Sequence, residues 1–387
     1  MKRVSALLLT CTLGLSALSG CSASAAPQPL SAQPVTISEE EMMRYDLETP
    51  AVWSALSEFG LDLLKTARQE GEGTLLTPLS AALALSMAAN GADGETLDQF
   101  REVLGDGASL EALNVSCSAL MKLYGGLGGS TECSIANSLW TDPEGRMQED
   151  FVGRCSGIFD AQVFQEDLSA PVIVPALNSW VSDHTAGMIN ALYLKNTWAA
   201  KFDPSDTVTR DFTRADGAAE PLDFLQHFSR SLTYLQSGSD EGVLLPYDDG
   251  RLAFFALMPR QSSGVPDFER WLSSLTGEGL SALLSGREET FFLRLSLPKF
   301  EQEWSGELKD ALAALGLTDA FDPDLADFSL LGDDPRGYYL SQVIHAARIE
   351  VNEEGTEAAA ATVVAAASGA APPQEGVTLL FDRPFLY

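Results

Sequence analysis

Apolar residues in the first third of the chain recur with the period of an α-helix. Thr49-Pro50 combines an N-cap residue with a proline at the first helical position, and a helical pattern runs from there to near Glu70-Gly71. A second pattern begins at Thr77-Pro78 in the same way and ends at Asn90-Gly91. Two further helices are predicted over residues 96–104 and 109–124.

Farther along the chain, the pattern changes to the alternation of half-buried strands. The longest strand is predicted from Tyr338 to Val351, where apolar Val343, Ala347 and Ile349 alternate with polar neighbours. Helices followed by many strands, without regular βαβ alternation, predict the α+β class. The other predicted strands cover residues 134–140, 159–165, 190–198, 207–213, 232–236, 242–247, 251–258 and 291–300.

The segment after the long strand has an unusual composition. Glu353-Glu354-Gly355 is a predicted hinge, because two charges precede a residue with free backbone conformation. Small residues follow from Thr356 to Thr362, and they bury too little apolar area to hold a place in a core. They could slide as a strand into a narrow slot between two existing strands. By composition alone, an alanine-rich helix is an equally good interpretation.

This segment resembles the reactive-loop hinge of the serpins, and six further motifs resemble serpin landmarks in the same order. The resemblance implies a serpin fold, with a large central, mostly antiparallel sheet, two smaller sheets, about eight to nine helices and an exposed reactive loop. The six motifs are Thr77-Pro78-Leu79-Ser80, Asn178-Ser179-Trp180-Val181, Asn190 to Trp198, Leu245-Pro246-Tyr247, Leu297-Pro298-Lys299-Phe300 and Asp382-Arg383-Pro384-Phe385.

The resemblance also implies a function, the inhibition of a serine protease by suicide loop insertion. The reactive loop would span about residues 353–378, and the scissile bond would lie near Ser368, Gly369 and Ala370. Because these residues are small, and Arg, Lys and aromatic residues are absent around them, we expect an elastase-like or subtilisin-like target. The hinge residues are Glu353, Glu354, Gly355, Thr356, Glu357, Ala358, Ala359, Ala360, Ala361 and Thr362.

Five residues match serpin positions around the opening of the central sheet. Ser80, Asn190 and His345 would lie together under the sheet, where the strands part, as a hydrogen-bonded latch. Thr77 stands where the family usually has serine, and it keeps the hydroxyl group. Trp198 matches an aromatic residue near the top of the opening, for which simple core packing is an equal alternative.

The N-terminus has the pattern of a bacterial lipoprotein signal peptide over residues 1–20. A basic start precedes an apolar run too short for a confident membrane span, and Leu18-Ser19-Gly20-Cys21 resembles a lipobox. The resemblance implies lipidation of Cys21 and a location on the extracellular face of the membrane or secretion; an ordinary signal peptide is the alternative. Residues 21–48 are predicted to be a flexible tether, and residues 49–387 the serpin domain.

Charge and motifs narrow the other function classes. The 387 residues carry a formal charge of −31, which disfavours nucleic acid as a partner. The three histidines lie outside any zinc-type spacing, and the Gly-x-Ser-x-Gly motif of many hydrolases is absent. We therefore expect a protein that is not an enzyme and has no metal or cofactor. The serpin resemblance implies a monomer whose protein partner is a target protease held as a covalent acyl complex.

Two departures from the serpin pattern bear on inhibition. Gly187-Met188-Ile189 runs directly into Asn190, whereas in the family a linker and the first half of a central strand separate these elements. The sequence stops at Tyr387, whereas the family continues through a buried strand hairpin. These departures favour the alternative of a non-inhibitory or degenerate serpin-fold binding protein, or a damaged gene model.

Overall fold

A computed structural model of the chain describes residues 5–11, 27–69, 71–127, 131–135, 137–173, 175–176, 192–229, 232–260, 268–286, 292–356 and 376–387. Within these ranges the chain forms nine α-helices and fifteen strands, and the strands are arranged in three sheets. The predicted α+β class is confirmed.

Six of the nine described helices lie in the first half of the chain, where the sequence predicts four. The nine are α1 (Glu39–Tyr45), α2 (Thr49–Ala67), α3 (Pro78–Ala89), α4 (Gly94–Gly105), α5 (Leu110–Gly125), α6 (Glu149–Phe159), α7 (Phe268–Ser274), α8 (Gly277–Ser285) and α9 (Lys309–Ala314). Short 3₁₀ turns occur at Pro204–Asp206 and Asp319–Phe321.

The strands follow mainly in the second half of the chain. They are β1 (Ser5–Cys11), β2 (Glu132–Ile135), β3 (Asn137–Thr141), β4 (Ala161–Gln165), β5 (Leu192–Thr197), β6 (Val208–Thr213), β7 (Ala219–Ser229), β8 (Thr233–Ser237), β9 (Asp240–Pro246), β10 (Ala253–Pro259), β11 (Leu293–Pro298), β12 (Phe300–Glu307), β13 (Tyr338–Val351), β14 (Gly355–Thr356) and β15 (Val377–Leu380).

Most predicted elements are present, with shifted ends. The four predicted helices are α2 to α5, and α2 ends at Ala67 rather than near Glu70. The strand predicted over 134–140 is two strands, β2 and β3, and Phe159 belongs to α6 instead of the following strand. The segments that form α1, α6 to α9, β7 and β12 were not predicted as regular structure, because their patterns are short or broken by charges. Nor were β1, which lies within the predicted signal peptide, or β14 and β15, which overlap the predicted reactive loop.

The central sheet is mostly antiparallel and has the order β2-β5-β14-β13-β1-β3-β4, with β12 also paired to β13. Both β12 and β1 pair with Ile344 and His345, so they lie on opposite edges of β13. Val351 pairs with both Phe300 of β12 and Thr356 of β14, so β14 lies on the same edge of β13 as β1. The smaller sheets have the orders β10-β9-β8 and β15-β11-β7-β6.

Helix α3 lies in the core beneath the central sheet. Its residues from Ser80 to Ala89 are all buried, which explains why its sequence is small and apolar on every side rather than amphipathic. The main apolar cluster contains side chains from helices α2, α3, α4, α5 and α6 and from the central sheet. A second cluster lies between the two smaller sheets and includes Trp198, Tyr247 and Val351.

The stretch predicted to be a tether is packed on the domain from residue 27 onward. The N–H of Leu30 donates to the carbonyl of Val163 at 2.7 Å, and that of Val35 donates to Gly153 at 2.8 Å. A Cβ at Gly153 would lie 2.5 Å from the carbonyl oxygen of Gln33, so glycine permits this close approach. A capping box at Ser38 then begins α1.

Candidate functional site

The long strand β13 ends in a tight turn at the predicted hinge. The side-chain oxygen of Asn352 accepts the backbone N–H of Glu354 at 2.9 Å and that of Gly355 at 3.3 Å. The backbone N–H of Asn352 donates to the carbonyl of Gly355 at 3.1 Å. An asparagine that bonds the backbone two or three residues on stabilises such a reversal. The chain therefore turns back at once, and Thr356 lies opposite Val351.

The two residues of β14 lie as a strand between β13 and β5. Gly355 pairs with Thr197 and Thr356 pairs with Asn196. A Cβ at Gly355 would lie 2.0 Å from the carbonyl oxygen of Asn196, far inside van der Waals contact. Glycine is therefore required here by the close approach of two strands, rather than by the conformational freedom that the sequence suggested.

The hinge carboxylates are anchored by lysines. Lys299 Nζ lies 2.9 Å from Glu353, which also accepts the hydroxyl of Thr207 at 3.1 Å, and Lys201 forms an ion pair with Glu354. Burial acts to raise the pKa of Glu353, but the bonds from Lys299 and Thr207 outweigh it and the pKa is lowered. Lys299 belongs to a motif recognised in the sequence, whereas nothing in the sequence pointed to Lys201.

Trp198 packs against the hinge on the side that faces the smaller sheets. It is buried and stacks on Tyr247 with ring centroids 4.9 Å apart, and its indole N–H donates to the carbonyl of Asn352 at 2.9 Å. The Tyr247 hydroxyl lies 3.2 Å from Thr356 Oγ1, and burial raises the pKa of Tyr247. Trp198 thus contacts the hinge directly, in addition to its packing in the core.

A polar network missed in the sequence supports β5 beside the hinge. Asn196 is fully buried, and its side-chain amide donates to Thr131 at 2.8 Å and to Asp249 at 2.9 Å. Thr131 in turn donates to Asp249 at 2.6 Å. Asn196 stands in one of the recognised motifs, but Thr131 and Asp249 carry no sequence signal, because they come from distant loops.

The predicted latch residues form a separate group under the sheet. The backbone N–H of Thr77 donates to Nε2 of His345 at 3.0 Å, and Thr77 Oγ1 lies 3.2 Å from the same atom. Ser80 is buried one turn farther along α3. His345 is fully buried, and burial lowers its pKa to about 4. Among the described residues, its Nδ1 has no hydrogen-bond partner.

The structure therefore divides the predicted sheet-opening cluster in two. Thr77 and His345 bond to each other beneath the sheet, whereas Trp198 lies with the hinge. Several predicted residues lie outside the described part of the chain: Asn190, the hinge from Glu357 to Thr362, the scissile-bond candidates Ser368, Gly369 and Ala370, and Cys21.

Comparison with known proteins finds the same family along nearly the whole chain. The family model described as Serpin (serine protease inhibitor) matches residues 54–190 and 186–387. The two matches meet at residues 186–190, where the sequence predicts a deletion. Serpin-ZXA from Oryza sativa subsp. japonica is 31% identical over 320 residues, which are 75% of this chain and 79% of that protein.

Solved structures show the same fold. The native state of the thermophilic serpin tengpin has a TM-score of 0.78 and 29% identity, and the match covers 93% of this chain and 92% of that chain. Human thyroxine-binding globulin, solved in complex with its ligand, has a TM-score of 0.75 at 20% identity, over 87% of this chain and 94% of that chain, which shows the fold alone. On the matched motifs, the fold and these relatives, the chain belongs to the serpin family.

Proposed function

We propose that this protein inhibits a serine endopeptidase by inserting its cleaved reactive loop into the central sheet. The observation that carries the proposal is β14: Gly355 and Thr356 already pair as a strand between β5 and β13. The first step of insertion is thus built into the uncleaved chain, and further residues can follow along β13. Membership of a family described as serine protease inhibitors supports the same function.

The mechanism follows from competition between insertion and hydrolysis. The serine of the protease attacks a loop carbonyl, the amine leaving group departs, and an acyl ester joins the two proteins. The freed loop then adds to the sheet as a strand and gains main-chain hydrogen bonds. The attached protease is displaced before water can hydrolyse the ester, so the native fold must be kinetically trapped rather than the state of lowest free energy.

The sequence of the loop supports a target with a shallow or tolerant specificity pocket. The residues around Ser368, Gly369 and Ala370 are alanine, serine, glycine and valine. A trypsin-like target would lack its anchoring cation and a chymotrypsin-like target its aromatic ring. The partner class we propose is an elastase-like or subtilisin-like protease.

The test is the formation of an SDS-stable complex with elastase or subtilisin, and its loss in Thr356→Arg. Thr356 is 4% exposed, so a long charged side chain there would be buried without a partner. We expect Thr356→Arg to give cleaved monomer instead of complex. The matched control is Thr378→Arg, at an exposed position on β15 away from the slot. Equal complex with both variants would contradict insertion at Thr356.

The lipid anchor belongs to the same proposal. The Leu18-Ser19-Gly20-Cys21 sequence supports acylation of Cys21 and attachment at the extracellular face of the membrane. In the described part of the chain, no helix is long and apolar enough to cross a membrane.

One observation favours a second candidate, a serpin-fold binding protein without inhibitory power. Among the described residues, β5 has six residues beside the fourteen of β13, and these six line only part of the path that an inserted loop would take. If the chain is cleaved at the loop by every small-residue protease tested and no complex forms, this second function is the better description.

A further inference from the structure

The N-terminal strand β1 lies inside the central sheet. It runs parallel to β13, from Ser5 opposite Tyr338 to Cys11 opposite His345, and antiparallel to β3, from Leu7 opposite Thr141 to Thr10 opposite Ser138. Its backbone is therefore paired on both sides. In the described sheet, β3 and β4 reach β13 only through β1.

The position of β1 is in line with β5. Strands β2 and β3 follow each other directly, with residue 136 between them, and β5 pairs with β2 while β1 pairs with β3. Both pairings are antiparallel, so β1 and β5 run in the same direction. Thr10 faces Ser138 and Leu192 faces Ile135, so β1 ends almost where β5 begins. The two segments together have the course of one long strand, divided between the N-terminus and the middle of the chain.

The surroundings select the kind of segment that can lie there. On β3, Leu139 and Trp140 are fully buried, and on β13 so are Leu340 and His345. A charged residue at this position would lose hydration without gaining a partner. The sequence Ser-Ala-Leu-Leu-Leu-Thr-Cys is uncharged and long enough to pair along the whole gap.

We propose that the position between β3 and β13 is a binding slot for an extended uncharged segment, and that Ser5–Cys11 fills it as the missing half of the β5 strand. In a chain that keeps its N-terminus, a loop that inserts beside β13 would replace the pairing of β1 with β13, while β1 stays paired to β3 and continues the strand edge that β5 begins. An occupied slot gives the inserting strand a neighbour on both sides for its full length. The effect on inhibition rests on the proposed function, whereas the slot itself does not.

The proposal has a consequence for processing at Cys21. Cleavage before this residue would remove Ser5–Cys11 and, among the described strands, leave two unpaired edges, on β3 and on β13 from Tyr338 to His345. A processed chain would then accept a peptide of the same character from solution, whereas a chain that keeps its N-terminus would not.

The first test is hydrogen exchange on the full chain, with Cys21→Ala so that the N-terminal segment is retained. We expect the backbone amides of residues 5–11 to exchange at least about 100-fold more slowly than unprotected amides, close to the rate of β3. Exchange of residues 5–11 at the unprotected rate, with β3 protected, would overturn the proposal.

The second test disrupts the strand and restores it in trans. Leu9 pairs with both Val343 and Leu139, and Leu9→Pro removes a backbone donor at the centre of β1, while Leu9→Ala is the matched control that keeps it. The probe is a fluorescent Ser-Ala-Leu-Leu-Leu-Thr-Ser peptide with a solubilising lysine tail. We expect one peptide to bind per Leu9→Pro chain, and less than a tenth as much to bind the Leu9→Ala chain. Equal uptake by the two chains would contradict the slot, and if Leu9→Pro does not fold, hydrogen exchange decides.

The third test asks whether β1 in the slot affects the formation of the covalent complex. With elastase or subtilisin, Leu9→Pro should shift the product from covalent complex to cleaved monomer by about tenfold, and the peptide should reverse the shift. An unchanged ratio would show that β1 is not part of the wall. If the parent chain itself forms no complex, the proposed function fails, while exchange and peptide binding still test the slot.

Discussion

Acid should weaken the contact beneath the sheet through one residue, His345. Its Nε2 accepts the backbone N–H of Thr77, so in the folded protein the neutral ring carries its proton on Nδ1. Protonation of Nε2 would turn the acceptor into a donor facing another donor, inside a fully buried site. The perturbation is therefore a fall in pH from 7 to 4, with His345→Gln as the variant that cannot titrate.

The size of the effect follows from the pKa. Burial lowers the pKa of His345 from 6.5 to about 4. Between these values the unfolded chain binds more protons than the folded protein, so the free energy of unfolding falls as the pH falls. The contribution is complete above pH 6.5 and lost on the way to pH 4, and it amounts to about 3 kcal/mol, at about 1.4 kcal/mol per pKa unit.

The assay is urea unfolding of both chains at half-unit steps between pH 4 and 7.5. Carboxylates such as Glu353, whose pKa is lowered in the fold, also lower the stability in acid, but they do so equally in both chains. The difference between the two curves isolates His345. Glutamine is chosen because its side-chain oxygen can still accept the N–H of Thr77.

The outcome that would refute the reasoning is a pair of parallel curves. We expect the free energy of unfolding of the histidine chain to fall by about 3 kcal/mol relative to that of the glutamine chain as the pH falls from 7 to 4, since only the histidine chain loses stability through this site. Parallel curves would mean that His345 has an ordinary pKa in the folded protein, and hence that water or a partner reaches its ring.

Three further predictions concern the hinge and the N-terminus. Gly355→Ala should cost about 1–3 kcal/mol in urea unfolding, because a Cβ would collide with the Asn196 carbonyl, whereas the control Gly125→Ala meets no atom within 4 Å and should be neutral or stabilising. Lys201→Met should cost about 1 kcal/mol, since the Glu354 ion pair is partly exposed, and should speed proteolysis at the hinge; an unchanged cleavage rate would argue against anchoring. Cys21→Ala should leave the chain unprocessed and without acyl groups, and a variant that is processed and acylated like the parent chain would rule out lipidation at Cys21.

The sequence predicted the elements that depend on local pattern. The Thr-Pro starts place α2 and α3, the helical period also places α2, and the alternation up to Val351 places β13, because these signals lie within one turn or one strand. The packing of residues 27–48 was not predictable from composition, since it depends on Gly153 and Gly157, which let the N-terminal backbone approach α6. Such contacts are encoded in the partner helix and not in the segment itself.

The hinge shows the same limit at the level of single residues. Its position and its small side chains were visible in the sequence, but the anchors Lys201, Asn196 and Tyr247 come from strands and turns more than a hundred residues away. Distance along the chain hides such pairs unless a family resemblance points to them. The sequence singled out Gly355 for its free backbone conformation. In the structure, glycine is needed because the backbone of Asn196 leaves no room for a Cβ.

The departure before Asn190 and the position of β1 bear on a single physical question. An inserted strand gains free energy only where both of its edges are paired, because each buried backbone group without a partner costs free energy. Strand β5 alone would pair with the part of an inserted loop nearest the hinge, whereas β1 continues the same line of pairing back to Ser5. The proposed inhibitory function therefore depends on whether the chain that meets a protease still carries its first eleven residues. If it does, β1 supplies the pairing that β5 does not give. If it does not, a loop inserted beside β13 would be paired on one edge only from Tyr338 to His345, and the chain would be better suited to binding a partner than to trapping a protease.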